Sequence, residues 1–483
     1  MKRTLFILFV STLLQAGVIT TFAQNSSLYT KIDNYLTAGV ENGFSGAIAL
    51  VKNGEVIINK GYGYANKDTQ TLNNPNTIFD IGSNTKQFTA TAILKLAELG
   101  KLELTDSIAT YFKNVPADKQ GITIHQLLSH SAGFVDAIGR DFTEISQEDF
   151  FQQLFATKLL FEPGTKYEYS NTGYSILGRI IELTSGQPYE VFLKEQLFIP
   201  AGMHQTGYLL PTWNSKQISR SYNRGILESD SPILRYQKDK GLNWHLKANG
   251  GINATQNDLL LWYQALKTNK ILSKTSYQKL ITPHISYGNG KYTYGYTYGW
   301  THRVLDNKMK RLAHNGSNGA YSHSIIWFPE EDIYITYATN ANSDNVEFIA
   351  YTITRMLLDE NYTPKPIKNN IYAFIMRYVE QNPLQTSNNL IKLLKEQYSE
   401  EFNKRPLNTI GNLLLQKNKH VDWAIELFKQ NMALNPQDGN LWDSLGDGYK
   451  ANQQKEEAIK AYQKAVSLGY KDAQQKLTAL LTK

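Results

Sequence analysis

Cysteine is absent from all 483 residues. Disulfides, a lipid-bearing cysteine and thiolate metal sites are thereby excluded, and stability has to come from a packed core. The chain also lacks a block of one charge. Its 50 Lys and Arg against 43 Asp and Glu leave a formal charge of +7, but the basic residues stand singly among acids, so no stripe is available for nucleic acid. There is no His-Glu-x-x-His pair and no phosphate-binding glycine loop with a lysine behind it. His125 and His130 are spaced i, i+5 without an acidic partner, and are assigned to helix-end and loop structure. No metal and no cofactor is expected. Long apolar runs are missing except at the start, where Lys2 and Arg3 precede Leu5 to Leu14 and Thr21-Phe22-Ala23 offers small residues for cleavage. Ser11, Thr12 and Gln15 leave that run shorter than the ~20 residues a spanning helix needs. Residues 1–23 are read as a signal peptide cut after Ala23, giving an exported chain, periplasmic or extracellular, without a transmembrane segment once mature.

What is present reads as two regions. Gly46 to Val51, the turn Lys52-Asn53-Gly54 and Glu55 to Asn59 predict a hairpin within Phe44 to Asn66. Phe88, Ala92, Ile93, Leu96 and Leu99 recur at helical spacing, and Gly100 supplies the stop. Helical patterns dominate from Ile122 to about Gly207, clearest over Tyr174 to Thr184 and Tyr189 to Leu197. Strand patterns return in Ser324 to Phe328 and Ile333 to Tyr337. Strands at both ends with a helical middle imply a sheet whose edges come from the two termini, covered by helices. This domain is expected to occupy 24–360, followed by a proline-bearing linker over 361–370. Residues 371–483 read as all-helical. Ala424 and Phe428 return as Ala458 and Tyr462 roughly 34 residues on, and Leu441, Trp442, Leu445, Gly446 and Tyr449 complete a pattern that resembles tetratricopeptide repeats over 406–439 and 440–473. Such repeats would offer a surface to a protein partner, or would serve only as a stabilising helical cap.

Ser83-Asn-Thr-Lys86 carries the chemistry. A serine hydroxyl needs an adjacent base, and a lysine can be one when burial disfavours its charge. Residues three apart share a helix face, and the first turn of a helix favours a developing negative charge. Ser276-Tyr-Gln-Lys279 has the same spacing but reads as a surface helix before Pro283. Ser83 differs because Thr77 to Ile81 is strand-like, Gly82 follows, and the most apolar helix of the region begins there. Tyr169-Ser-Asn171 and His314-Asn-Gly316 then follow in that order along the chain.

The ordered triple, with Ile122 to Phe134, Glu162 to Thr165, Leu197 to Met203 and Ala248-Asn-Gly-Gly251, resembles the serine β-lactamase and penicillin-binding-protein superfamily. The Tyr-x-Asn form is similar to class C β-lactamases and their esterase and D-peptidase relatives, over roughly residues 28 to 358. The resemblance implies an α/β fold of the β-lactamase/transpeptidase type, an antiparallel sheet flanked by helices plus a helical subdomain, ahead of the all-α region. It also implies that Ser83 forms an acyl-enzyme, with Lys86 and Tyr169 sharing the proton transfers. Asn171 would bond the substrate amide or the Lys86 ammonium, and the N–H groups of Ser83 and Ser317 would form the oxyanion hole. His314 and Gly316 would line the substrate strand. β-Lactamases usually carry lysine where this chain has His314, which shifts the expectation toward a small ester or a D-amino-acid peptide as substrate. Two alternatives stay open: a β-lactamase acting on β-lactam antibiotics, and a non-catalytic cell-envelope binding or sensing protein using the repeats. Trp300, Trp327 and the tyrosines between Gly290 and Gly299 read as a strand face or, alternatively, a substrate wall.

Overall fold

The computed structural model describes residues 25–224, 226–229, 231–238, 242–288, 293–342, 346–368 and 370–482, so the expected leader 1–23 lies outside the described residues. The chain divides into two compact units, essentially residues up to Ile367 and residues from Lys368 onward, with two short surface segments (Glu41–Gly43 and Arg224–Leu227) grouping with the second.

An eight-stranded antiparallel sheet organises the first unit. Its strands are β1 (Gly46–Lys52), β2 (Glu55–Tyr62), β3 (Ile285–Gly288), β4 (Thr293–Tyr296), β5 (Thr301–Val304), β6 (Lys310–Asn318), β7 (Tyr321–Phe328) and β8 (Ile333–Thr339), in the spatial order β2-β1-β8-β7-β6-β5-β4-β3. The expected hairpin is β1–β2, closed by Asn53 and Gly54 at φ of 53° and 77°, the left-handed pair that a two-residue hairpin turn demands. One expectation is corrected. The two ends of the domain do not supply opposite edges: β1 pairs with β8 from Gly46↔Thr339 to Lys52↔Ile333, so the terminal strands meet inside the sheet and β3 forms the far edge. Strands β3 to β5 are four residues each, and β3 and β4 are built largely of Gly and Tyr, so they carry little period-2 signal, which is why that half of the sheet was not legible.

Helix α1 (Lys86–Glu98) lies on one face of the sheet and is buried on every side over its first nine residues. Phe88 sits between Phe198 and Trp262, with ring centroids 5.1 and 4.8 Å away, and full burial of such a side chain contributes about 1.5–3 kcal/mol. Polar residues on this helix are all spoken for. Thr89 Oγ1 donates to Ala248 O at 2.6 Å, and Trp262 Nε1 donates to Gln87 Oε1 at 2.8 Å. The opposite face of the sheet is covered by Ile32 and Leu36 from the helical residues 25–41 and by α4 (Ile349–Leu358), through Ile349, Ile353 and Met356. Between them in sequence, α2 (Asn171–Ser185) and α3 (Gln256–Lys267) complete the helical side. Ser276 and Lys279 fall on the short helix Lys274–Ile281, as expected, with Lys279 exposed.

The second unit is all-helical: α5 (Ile371–Gln381), α6 (Ser387–Gln397), α7 (Lys404–Gln416), α8 (Val421–Leu434), α9 (Gly439–Ala451), α10 (Lys455–Ser467) and α11 (Asp472–Leu481). One packing device occurs twice. Gly411 of α7 lies against the Phe428 ring of α8, and Gly446 of α9 against the Tyr462 ring of α10, each so close that a methyl group would overlap the ring. Among the described residues no helix is long and apolar enough to cross a membrane.

Candidate active site

Short strand Phe79–Asp80 pairs with Asn253–Ala254, and the chain then turns through a 3-10 segment, Gly82–Thr85, before α1 begins at Lys86. Ser83 therefore sits one turn ahead of the α-helix proper. Ile81 N donates to Ile252 O at 2.9 Å and Ile252 N to Thr85 Oγ1 at 3.1 Å. These bonds stitch the turn to the segment that carries Asn249.

The turn meets the sheet at β6. Pairing of β5 with β6 ends at Thr301↔Ala313, leaving residues His314 to Asn318 without a strand on that side, and Gly82 to Ser83 fill the space. Gly82 has φ of +51°, and a Cβ on it would stand 2.5 Å from Ser317 N. A Cβ on Gly316 would stand 2.7 Å from Ser83 N and overlap Ile81 O. Both glycines are thus required by close approach. Alternate residues of an antiparallel strand bond to the same neighbour. Asn318↔Tyr321 closes the β6–β7 hairpin, so Asn318, Gly316 and His314 face β7 while the N–H of Ser317 points the other way, toward Ser83. The Ser83 and Ser317 N–H groups therefore lie on two closely facing segments.

Lys86 is 0 % exposed. Its Nζ donates to Ser83 Oγ at 3.2 Å, Asn171 Oδ1 at 2.6 Å and Asn249 O at 2.7 Å. Burial pushes its pKa down to about 7, against the opposing pull of the Asp136 and Asp141 carboxylates. Asn171 is oriented by Asp136, whose Oδ1 accepts from Asn171 N at 3.0 Å and Nδ2 at 2.9 Å. That fixes the amide with its oxygen toward Lys86. Asn249 is held in turn by Nδ2 bonds to Ser175 Oγ and His245 O, at 2.9 and 2.8 Å.

Tyr169 precedes α2, whose N-cap Ser170 accepts from Gly173 N at 3.0 Å. His130 grips the chain on both sides of it. Glu168 N donates to His130 O at 2.9 Å, Ser170 N donates to His130 Nδ1 at 3.0 Å, and the two rings lie 4.4 Å apart. The Tyr169 hydroxyl bonds Ser83, its ring lies 4.7 Å from Lys86 Nζ, and burial holds the phenol above its ordinary pKa.

His314 is buried beside this group. Because Ser170 N–H donates to His130 Nδ1, the neutral His130 ring carries its proton on Nε2 and donates to Tyr296 Oη at 3.1 Å. Tyr296 then donates to His314 Nε2 at 3.3 Å, and His314 Nδ1–H donates to Asn315 O at 2.8 Å. Burial and the nearby Lys86 charge push the His314 pKa down to about 3. The chain of bonds and the burial agree on a neutral imidazole.

The structure brings Ser83, Lys86, Tyr169, Asn171, His314, Gly316 and Ser317 together. Sequence reasoning missed Asp136, Asn249 and His130. His130 lies in the turn just past the helix Ile124–Leu128, as expected, and from there its ring, 1 % exposed, holds Tyr169 in place. His130 and Asn249 fall within the runs Ile122 to Phe134 and Ala248 to Gly251, so the family-like flanks were the available signal. Among the described residues no cluster of three His, Asp or Glu side chains could hold a metal. A cavity of 740 Å³ lies between residues 138–149 and 242–245, lined by Ile138, Arg140, Phe142, Tyr236, Leu242 and His245 among others, and none of the residues gathered around Ser83 lines it.

Comparison with known proteins bears on the family and the fold. The chain is 36 % identical over 264 residues to the putative penicillin-binding protein PbpX of Bacillus subtilis, an alignment spanning 54 % of this chain and 64 % of that protein. The octameric penicillin-binding protein homologue from Pyrococcus abyssi superposes with a TM-score of 0.60 at 26 % identity, covering 73 % of this chain and 81 % of the other. A class C β-lactamase gives a TM-score of 0.60 at 19 % identity over 69 % of this chain and 98 % of its own, which speaks to fold alone. With the family model described as Beta-lactamase matching residues 32–358, the chain belongs to the β-lactamase family, whose relatives are serine hydrolases.

Proposed function

We propose that the protein hydrolyses an ester or amide through an acyl-Ser83 intermediate. One observation carries this reading: a fully buried lysine with its pKa pushed down to about 7 donates to the Ser83 hydroxyl at 3.2 Å. Neutral Lys86 accepts the Ser83 proton as Oγ bonds to the substrate carbonyl carbon. Tyr169 is the weaker candidate base, since its phenol is held above its ordinary pKa. It serves as the acid, passing its proton to the leaving group and regaining one from Lys86. The Ser83 and Ser317 N–H groups receive the oxyanion. Water, activated by the same pair in reverse, then releases the acyl group and restores Ser83.

The substrate class follows from His314. A neutral imidazole offers no fixed cation to a carboxylate, so we read the acyl donor as a small ester or a D-amino-acid peptide ahead of a β-lactam. Export, and repeats in the tetratricopeptide manner that hold a protein partner, belong to the same reading. The doubled Gly411–Phe428 and Gly446–Tyr462 packing supports the repeats.

Intact-mass spectrometry tests the proposal. Exposure to a fluorophosphonate is expected to add one adduct to the protein, and a penicillin is expected to label slowly. A folded protein that takes no adduct from either would be a binding protein instead. The support of Asn171 gives a second prediction. Asp136→Ala removes an exposed carboxylate with two charge-assisted bonds, and is expected to lower the acylation rate by about ten-fold with little loss of stability. Stopped-flow acylation by a nitrophenyl ester measures it. An unchanged rate would mean that Asn171 is held without Asp136.

A further inference from the structure

Asp80 is 1 % exposed, and the mechanism above does not use it. Its two carboxylate oxygens face two different chain segments. Oδ1 accepts from Gly82 N at 2.7 Å, and Oδ2 accepts from Asn318 Nδ2 at 3.0 Å. Gly82 immediately precedes Ser83 and Asn318 immediately follows Ser317, so one buried carboxylate is bonded to the neighbours of both oxyanion-hole donors. Among the described residues a second side-chain link between the turn and the sheet, Asn84 Nδ2 to His323 O, is longer at 3.3 Å and involves no charge. Charge-assisted bonds are roughly twice as strong as neutral ones. The Asp80 bridge therefore dominates.

We propose that Asp80 is a positioning residue that sets the separation of the Ser83 and Ser317 N–H groups, so that both reach the developing oxyanion. This rests on the acyl-Ser83 reading and deepens it. Gly82 and Gly316 allow the two segments to approach, but contact alone leaves their sliding unopposed. A two-pronged acceptor fixes it. The bridge also has a chemical weakness: burial pushes the Asp80 pKa up to about 7, opposed by its two donors, with the Asp141 carboxylate adding to the rise. Tyr236 and Tyr321 also face it, and burial holds both phenols above their ordinary values. A protonated Asp80 would lose acceptor capacity toward one donor and loosen the hole.

The test uses the full chain acylated by a nitrophenyl ester carrying a ¹³C-labelled carbonyl, read by difference infrared spectroscopy. Hydrogen bonds from the hole lower the stretching frequency of the acyl carbonyl. Asp80→Ala is expected to raise that frequency and to slow acylation by about 10²-fold at unchanged KM, the size of losing one oxyanion donor. Asn318→Ala is expected to move the band the same way by less, and the double variant to acylate no more slowly than Asp80→Ala alone. A folded Asp80→Ala protein with the wild-type band and rate overturns the proposal, as does additive slowing in the double variant. Should Asp80→Ala fail to fold, the band in Asn318→Ala decides. Absence of an ester adduct on the wild type overturns the acyl-Ser83 reading itself, whereas an adduct with unmoved bands overturns only the role of Asp80.

Discussion

Ser83→Ala is expected to abolish both the fluorophosphonate adduct and ester turnover while leaving the melting temperature within a few degrees of wild type. The size of the loss follows from what the hydroxyl does. Without it no acyl-enzyme forms, and removing the nucleophile of a serine hydrolase lowers kcat on the order of 10⁶-fold. Stability should hardly change because the hydroxyl is partly exposed and makes no core contact that a methyl group spoils. Its bond from Lys86 at 3.2 Å is the longest of the three that lysine makes, and the two that remain, to Asn171 and Asn249, keep the ammonium paired. Retained turnover in the alanine variant would move the nucleophile elsewhere. Ser317, exposed on β6 and close to the same turn, would be the next candidate.

Much of this site was legible because its chemistry is local in sequence. Ser83 and Lys86 share one turn, Tyr169 and Asn171 flank one N-cap, and His314 to Ser317 lie on one strand, so each short motif carries its own geometry. The central helix was legible for a related reason: α1 has apolar residues at helical spacing and a glycine, Gly100, at φ of 65° just past its end. What stayed hidden is what depends on contact between distant segments. Asp136 and Asn249 act on Asn171 and Lys86 through bonds that no spacing rule connects. His130 was read only as a helix-end residue, and its partners Ser170 N and Tyr296 come from distant segments. The order of the sheet was hidden likewise. The pairing of β1 with β8 joins the beginning and end of the domain, and nothing in either strand alone names the other.

The identity of His314 shows where motif and environment together say more than either. The residue type alone leaves an imidazole free to titrate near neutrality. Its place at the end of the His130–Tyr296–His314 chain fixes the tautomer, and its burial beside Lys86 keeps it uncharged. One ammonium, that of Lys86, is then enough for this group of side chains. A second cation at His314 would push the Lys86 pKa lower still and add another buried charge.

Lys86→Met is expected to lower acylation by about 10³- to 10⁴-fold, the upper range for a general base, and to change how the remaining activity depends on pH. In the wild type kcat/KM should rise with pH through about 7, where Lys86 loses its proton. Asp80 also titrates near 7 and must be ionised to hold the oxyanion donors, so the wild-type limb contains both events. Methionine separates them, because any limb that persists in Lys86→Met belongs to Asp80, and a flat profile assigns the whole limb to Lys86. Stability supplies an independent check on the same lysine. The folded-state pKa of Lys86 lies below its unfolded value of 10.5, so the unfolded chain binds more protons between about 7 and 10.5. Its contribution is complete above that window and lost as pH falls through it. The melting temperature of the wild type relative to Lys86→Met is therefore expected to climb from pH 7 toward 10. Arginine cannot shed its proton in this range, so Lys86→Arg should be inactive at every pH and less stable than either. Wild-type activity in Lys86→Met, or a stability difference independent of pH, would assign the base to another group and leave Lys86 as a hydrogen-bond donor alone.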